Sequence, residues 1–132
     1  MKTIFVNGCF DILHRGHIEL FKYAKSLGTK LIVAIDSDQR VNQMKGKDRP
    51  FNHQEDRKFV LESICYIDEV VIFNDEEELE NLTYTYKPDI MVVGSDWNGK
   101  KVVGSQHAKQ IKFFERIEGY STTKILQGSS DR

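Results

Sequence analysis

Apolar positions fall into two rhythms that alternate along this chain. Short continuous runs, Ile4–Val6 (IFV) and the β-branched Leu31–Ile35 (LIVAI), have the pattern of strands covered on both faces. Between them Ile18, Phe21 and Ala24, with Leu20 and Leu27 beside them, recur at helical spacing, and Gly28 supplies a stop. The polar stretch 36–52 reads as one short helix and a loop, residues 54–64 as a helix, and EVVIF (Glu69–Phe73) as a strand. Residues 75–86 form a predicted helix whose acidic first turn suits the helix dipole and which Pro88 ends. DIMVVG (89–94) and IKFFE (111–115) are the last two predicted strands, with a short helix near 105–109 between them, and STTKIL (121–126) opens a final helix. Strand and helix thus alternate about five times. That order predicts a doubly wound, Rossmann-like α/β fold: one domain over residues 1–127 around a five-stranded parallel sheet, then a frayed tail over 128–132.

Composition narrows the class without naming a function. At 132 residues the chain suits a single core, and 39% hydrophobic with 30% charged residues is ordinary for a globular protein. A net charge of −1 argues against a broad nucleic-acid-binding surface, so any anion has to be caught by a few placed cations. Tyr84, Tyr86, Phe113 and Phe114 read as core and helix-face aromatics, since no basic stripe accompanies them. No apolar stretch approaches the roughly 20 residues of a membrane span. No signal-peptide pattern precedes the first strand, and two cysteines are too few for a disulfide framework, so a cytoplasmic location is expected.

In a sheet of this kind ligands bind at the carboxyl ends of the strands, near the switch in strand order. The loops after the predicted strands hold GCFDILHRGH (8–17), MKGKDRP (44–50), GSDW (94–97) and ERIEGYSTT (115–123). Taken alone, His14 and His17 have three readings: solvated side chains, half of a metal site, or an anion-binding pair. A zinc site needs three or four ligands, and Cys9 is the only obvious extra candidate nearby. Gly16, without a Cβ, lets a ligand or a backbone come close. Two imidazoles and the N–H groups of a helix start around that gap suit a phosphate.

GCFDILHRGH resembles the G-x-F-D-x-x-H-x-G-H signature of the small nucleotidyltransferases, the cytidylyltransferase-like family. At the far end, RIEGYSTTKI (116–125) resembles that family's R-x-E-G-x-S-T-[ST]-x-I stretch, so the likeness covers nearly the whole chain. It implies transfer of a nucleotidyl group from a nucleoside triphosphate to a small phosphorylated molecule, with release of pyrophosphate. The attacking phosphate oxygen is already anionic. The protein's task is therefore in-line positioning and stabilisation of the charge that builds on the phosphates.

On this resemblance His14, His17 and Lys45 are the expected catalytic residues. Gly8, Cys9, Phe10, Asp11, Gly16, Asp96, Arg116, Ser121 and Thr122 are expected around the nucleotide, with Asp11 orienting the signature loop. Lys47, Arg57 and Trp97 are expected at the second substrate. Several have a plainer reading: Ser121 as an N-cap, the Lys45, Lys47 and Arg49 cluster as a solvated basic loop, Arg57 as a surface ion pair with Glu62 or Asp56. Asp36 and Asp38 read equally well as helix caps. Mg²⁺ is expected to accompany the triphosphate, with no protein ligand assigned to it. A homodimer is also expected from the family.

Two branches of the family compete. GSDWNGK (94–100), YIDEVV (66–71) and RIEGYSTTKI are similar to glycerol-3-phosphate cytidylyltransferases, where Asp96 and Arg116 would lie by the base and phosphates. GCFD, KGKDRP and VVGS (102–105) are similar to the adenylyltransferases that make ADP-heptose. Cys65 stands where cytidylyltransferases commonly carry an arginine that helps bind the substrate phosphate. The sequence favours CTP and an acceptor such as glycerol 3-phosphate. ATP with heptose 1-phosphate is the alternative, and a non-catalytic nucleotide sensor is the third reading.

Overall fold

The computed structural model describes residues 1–115. Five strands, β1 (Thr3–Gly8), β2 (Lys30–Asp36), β3 (Glu69–Phe73), β4 (Ile90–Gly94) and β5 (Gln110–Phe114), form one sheet in the order β3-β2-β1-β4-β5. Every pairing is parallel. The helices are α1 (Arg15–Ser26), α2 (Asp38–Lys45), α3 (Gln54–Glu62) and α4 (Glu76–Tyr86), with short 3-10 turns at Ser95–Trp97 and Ser105–His107. The predicted fold is the one observed. The final helix from Ser121 and the frayed tail lie outside the described residues.

The sheet's two faces carry separate apolar layers. Leu31, Val33 and Ile35 of β2 join Ile4, Val6, Ile90 and Val92 against Phe21 and Ala24 of α1 and Leu61 of α3. Ile32 and Ala34 point the other way, with Phe5 and Met91, toward Leu79 of α4 and Val102. This is the strand period of two made visible. Because β2 is buried on both faces, its sequence reads as an unbroken apolar run.

Both ends of α1 differ from the prediction for physical reasons. Helix α1 starts at Arg15, three residues before the predicted Ile18, because His14 caps it. It closes at Leu27 in ordinary right-handed conformation. Gly28 matters for space instead: a Cβ there would lie 2.7 Å from the Lys2 carbonyl and 2.9 Å from the Ile4 side chain.

The chain runs β1 to β2 to β3 toward one edge, then returns past β1 to β4 and β5. The strand order therefore switches between β1 and β4, and in sheets of this kind the ligand crevice lies at their carboxyl ends. The loop after β1 forms its centre, the residues after β4 one flank, and those after β2 the other.

Candidate active site

The loop after β1 enters α1 through a reciprocal pair of side-chain caps. Gly16 N donates to His14 Nδ1 at 3.0 Å, and His14 N donates to His17 Nδ1 at 3.2 Å. A helix start leaves its first N–H groups without intrahelical partners, and here two imidazoles satisfy two of them. The rings stack, with centroids 3.9 Å apart and planes 23° apart. With each Nδ1 accepting, the proton of the neutral ring sits on Nε2. The histidines are thus held side by side as N–H donors at the positive end of a helix dipole.

Phe10 supports them from below. Its backbone takes a positive φ of 50°, costing roughly 1–2 kcal/mol for a residue with a Cβ. The turn brings its ring edge-on to His17 at 5.4 Å and to Phe21 of the core at 5.0 Å. Gly8 makes this possible, since a Cβ there would lie 3.0 Å from the Phe10 ring. Gly8 and Phe10, expected at the nucleotide, thus build the floor under the second histidine.

Asp11, 4% exposed, points away from the histidines' task toward the basic loop. Its carboxylate accepts Phe51 N at 2.6 Å and Asn52 N at 2.7 Å, while Asn52 Nδ2 donates to the Asp11 carbonyl at 2.9 Å. These bonds dock the segment between α2 and α3 onto the signature loop. Lys45, the last residue of α2, and Lys47 are both exposed. Lys45 lies close enough to Cys9 to favour its thiolate, yet burial dominates and pushes the Cys9 thiol above its ordinary pKa.

Arg57 corrects an expectation. Placed at the second substrate by the sequence, it is 2% exposed in α3 and fully engaged. It donates to the carbonyls of Cys9 (2.9 Å), Asp36 (2.8 Å) and Asn52 (3.0 Å), and to Asp38 Oδ1 at 2.9 Å. A guanidinium has a fixed fork of donors, and these four acceptors come from the ends of β1 and β2, the start of α2 and the basic loop. Arg57 braces the floor of the crevice and is out of a substrate's reach. Asp38 is its counter-charge, Ser37 caps α2, and Asp36 pairs with Arg40 at 2.7 Å, so neither aspartate is the cap it resembles in sequence.

On the other flank, Asp96 and Trp97 occupy the 3-10 turn after β4. The Asp96 carboxylate folds over Gly94, where a Cβ would come within 2.7 Å of it. Both residues are exposed, Trp97 at 49%, on the flank of the switch point after β4. Arg116, Ser121 and Thr122 lie outside the described residues. Among the described residues, no group of three or more His, Cys, Asp or Glu is placed to hold a metal ion. Nor is any helix there long and apolar enough to cross a membrane.

Paired imidazoles at a helix start, at the switch point of a parallel sheet, have the chemistry to receive an anion. Residues 5–128 match the model of the cytidylyltransferase-like family. The chain belongs to that family. It is 48% identical over 126 residues to the bifunctional protein HldE of a Nitratiruptor species, covering 96% of this chain and 27% of that protein. With the HldE protein of Campylobacter fetus it shares 47% over 123 residues, 93% of this chain and again 27% of the relative. The chain therefore spans about a quarter of the length of these relatives. Among solved structures, a lipopolysaccharide core biosynthesis protein from Thermoplasma volcanium superposes with a TM-score of 0.69 at 24% identity, over 92% of this chain and 99% of that one. A pantoate-beta-alanine ligase from Francisella tularensis gives 0.59 at 19% identity, over 96% of this chain and 68% of that one. At such identities the last two likenesses describe a shared fold.

Proposed function

We propose that this domain is a nucleotidyltransferase that transfers AMP from ATP to the phosphate of heptose 1-phosphate, giving ADP-heptose and pyrophosphate. The observation that carries the choice of substrates is the 43–48% identity to bifunctional HldE proteins, which supports the branch that GCFD, KGKDRP and VVGS resemble, the adenylyltransferases that make ADP-heptose. The sequence alone favours CTP and glycerol 3-phosphate on the strength of Asp96 and Arg116. Asp96 is exposed, Arg116 lies outside the described residues, and the relatives favour the alternative.

In this reading the acceptor's phosphate oxygen attacks the α-phosphorus, the bond to the bridging oxygen breaks, and pyrophosphate leaves in line. His14 and His17 donate from Nε2 to the phosphate oxygens, and the start of α1 adds its dipole. Lys45 offers an exposed cation beside the basic loop. A divalent cation, Mg²⁺ by preference, would come with the triphosphate and offset charge on the leaving group. Imidazoles presenting N–H at Nε2 suit phosphate and not metal, which fits an ion held by the nucleotide. The homodimer and the cytoplasmic location expected from sequence belong to the same proposal, and light scattering tests the former.

Mass spectrometry of products tests the choice of substrates. The domain with Mg²⁺ and heptose 1-phosphate should give ADP-heptose from ATP. A CDP-linked product from CTP, with ATP inert, would return the assignment to the cytidylyltransferase branch.

A further inference from the structure

Two arginines approach the signature loop, and they are satisfied very differently. Arg57 finds four acceptors. Arg49, in the basic loop, has a side chain only 15% exposed, and its Nε and Nη2 are buried with no hydrogen-bond partner among the described residues. Its nearest acidic neighbour is Asp11, whose Oδ2 stands 3.5 Å from Nε, close enough for an ion pair and too far for a hydrogen bond. The Asp11 carboxylate is turned toward the backbone instead, accepting Phe51 N at 2.6 Å and Asn52 N at 2.7 Å. A buried, half-paired guanidinium is costly, and such a group calls for a missing ion. Lys45 and Lys47 stand exposed close by in the chain, so the local balance is positive.

We propose that Arg49 binds the phosphate of the acceptor substrate. The inference rests on the nucleotidyl-transfer reading and adds to it the residue that recognises the second substrate. Its place in the fold supports this role. The triphosphate cradle lies at the start of α1 in the centre of the crevice. The segment carrying Arg49 follows β2 and α2, on the flank opposite the turn after β4. In-line displacement requires the incoming oxygen to approach from the side of the α-phosphorus opposite to the departing pyrophosphate. A planar guanidinium presents two parallel N–H groups, which match two oxygens of a phosphate dianion where an ammonium would not. Asp11 then holds the Arg49 segment against the signature loop by its backbone, which keeps the acceptor's site and the triphosphate's site in register.

The test compares wild type with Arg49→Gln, which removes the charge, and Arg49→Lys, which keeps the charge and removes the fork. Arg49→Gln should raise the KM for heptose 1-phosphate about 10- to 100-fold while leaving the KM for ATP unchanged. Arg49→Lys should fall between the two, with an unaltered unfolding midpoint. An unchanged acceptor KM, or equal rises for both substrates, overturns the assignment. A readout independent of turnover is the side-chain Nε–H resonance of Arg49 during titration with inorganic phosphate and with heptose 1-phosphate. It should shift with both, and Arg49→Gln should weaken their binding to the same degree as the KM. Phosphate binding that is indifferent to Arg49 refutes the proposal. Arg49-dependent binding in a wild-type chain that makes no nucleotidyl product would instead remove the transfer reading and leave the anion site standing.

Discussion

The imidazole of His14 stacks on that of His17 at 3.9 Å, and each ring uses its Nδ1 to cap the start of the same helix. Capping and phosphate binding are usually rival uses of a helix N-terminus. Here they are compatible, because the cap consumes one nitrogen of each ring and fixes the proton on the other. Two donors are thereby preset before any ligand arrives, which avoids reorganisation when charge develops.

The tautomers can be observed directly. Long-range ¹⁵N–¹H correlation spectra of the free protein in its neutral-imidazole form should show the proton of both rings on Nε2 and an unprotonated Nδ1. Replacing His17 by Ala should release the His14 amide from its cap and expose it to faster hydrogen exchange. A proton found on Nδ1 of either ring would contradict the capping geometry.

Arg57 should be a stability residue before it is a kinetic one. Arg57→Met leaves three carbonyl acceptors and the Asp38 carboxylate without their donor, at a cost of roughly 3–5 kcal/mol. Urea unfolding should show a loss of that size, and nucleotide affinity should fall as the loops it braces separate. An unaltered midpoint would mean that the guanidinium is dispensable to the fold.

Alkali should unfold the protein through Tyr86. Burial, and then the Glu69 carboxylate beside it, push the Tyr86 hydroxyl up to about 12 from an ordinary value of 10.0. The neutral phenol is therefore favoured in the fold. Its contribution is fully present below pH 10, because neither folded nor unfolded chain has ionised there. It is lost as pH rises from 10 through about 12, where the unfolded chain releases its proton first. Tyr86→Phe should flatten that part of the stability profile. If the variant's slope equals that of wild type between pH 10 and about 12, another group governs alkaline unfolding.

Much of the fold was legible because a strand buried on both faces must be continuously apolar, and Leu31–Ile35 is the clear case. The place of the signature loop between a strand and a helix was legible too. Its first helical turn was not, because histidine is a rare cap and the bond depends on ring orientation. Arg57 misled for a similar reason. Three of its four partners are backbone carbonyls, and two of those lie 48 and 21 residues away, so no local pattern reports its burial. The tie between Asp11 and Asn52 spans 41 residues and is equally silent in sequence. Arg49 looked like one of three solvated cations, and only its burial set it apart.

The central claim is that the stacked histidines are the donors to the transferring phosphates. Its most direct test is the rate of pyrophosphate release from ATP with saturating heptose 1-phosphate, compared between wild type, His14→Ala and His17→Ala. Each substitution should lower kcat by about 10²–10³-fold, the loss typical of one preorganised donor. Each should cost only about 1 kcal/mol of stability through the lost cap. Near-normal turnover in either variant, with the wild type active, would contradict the account.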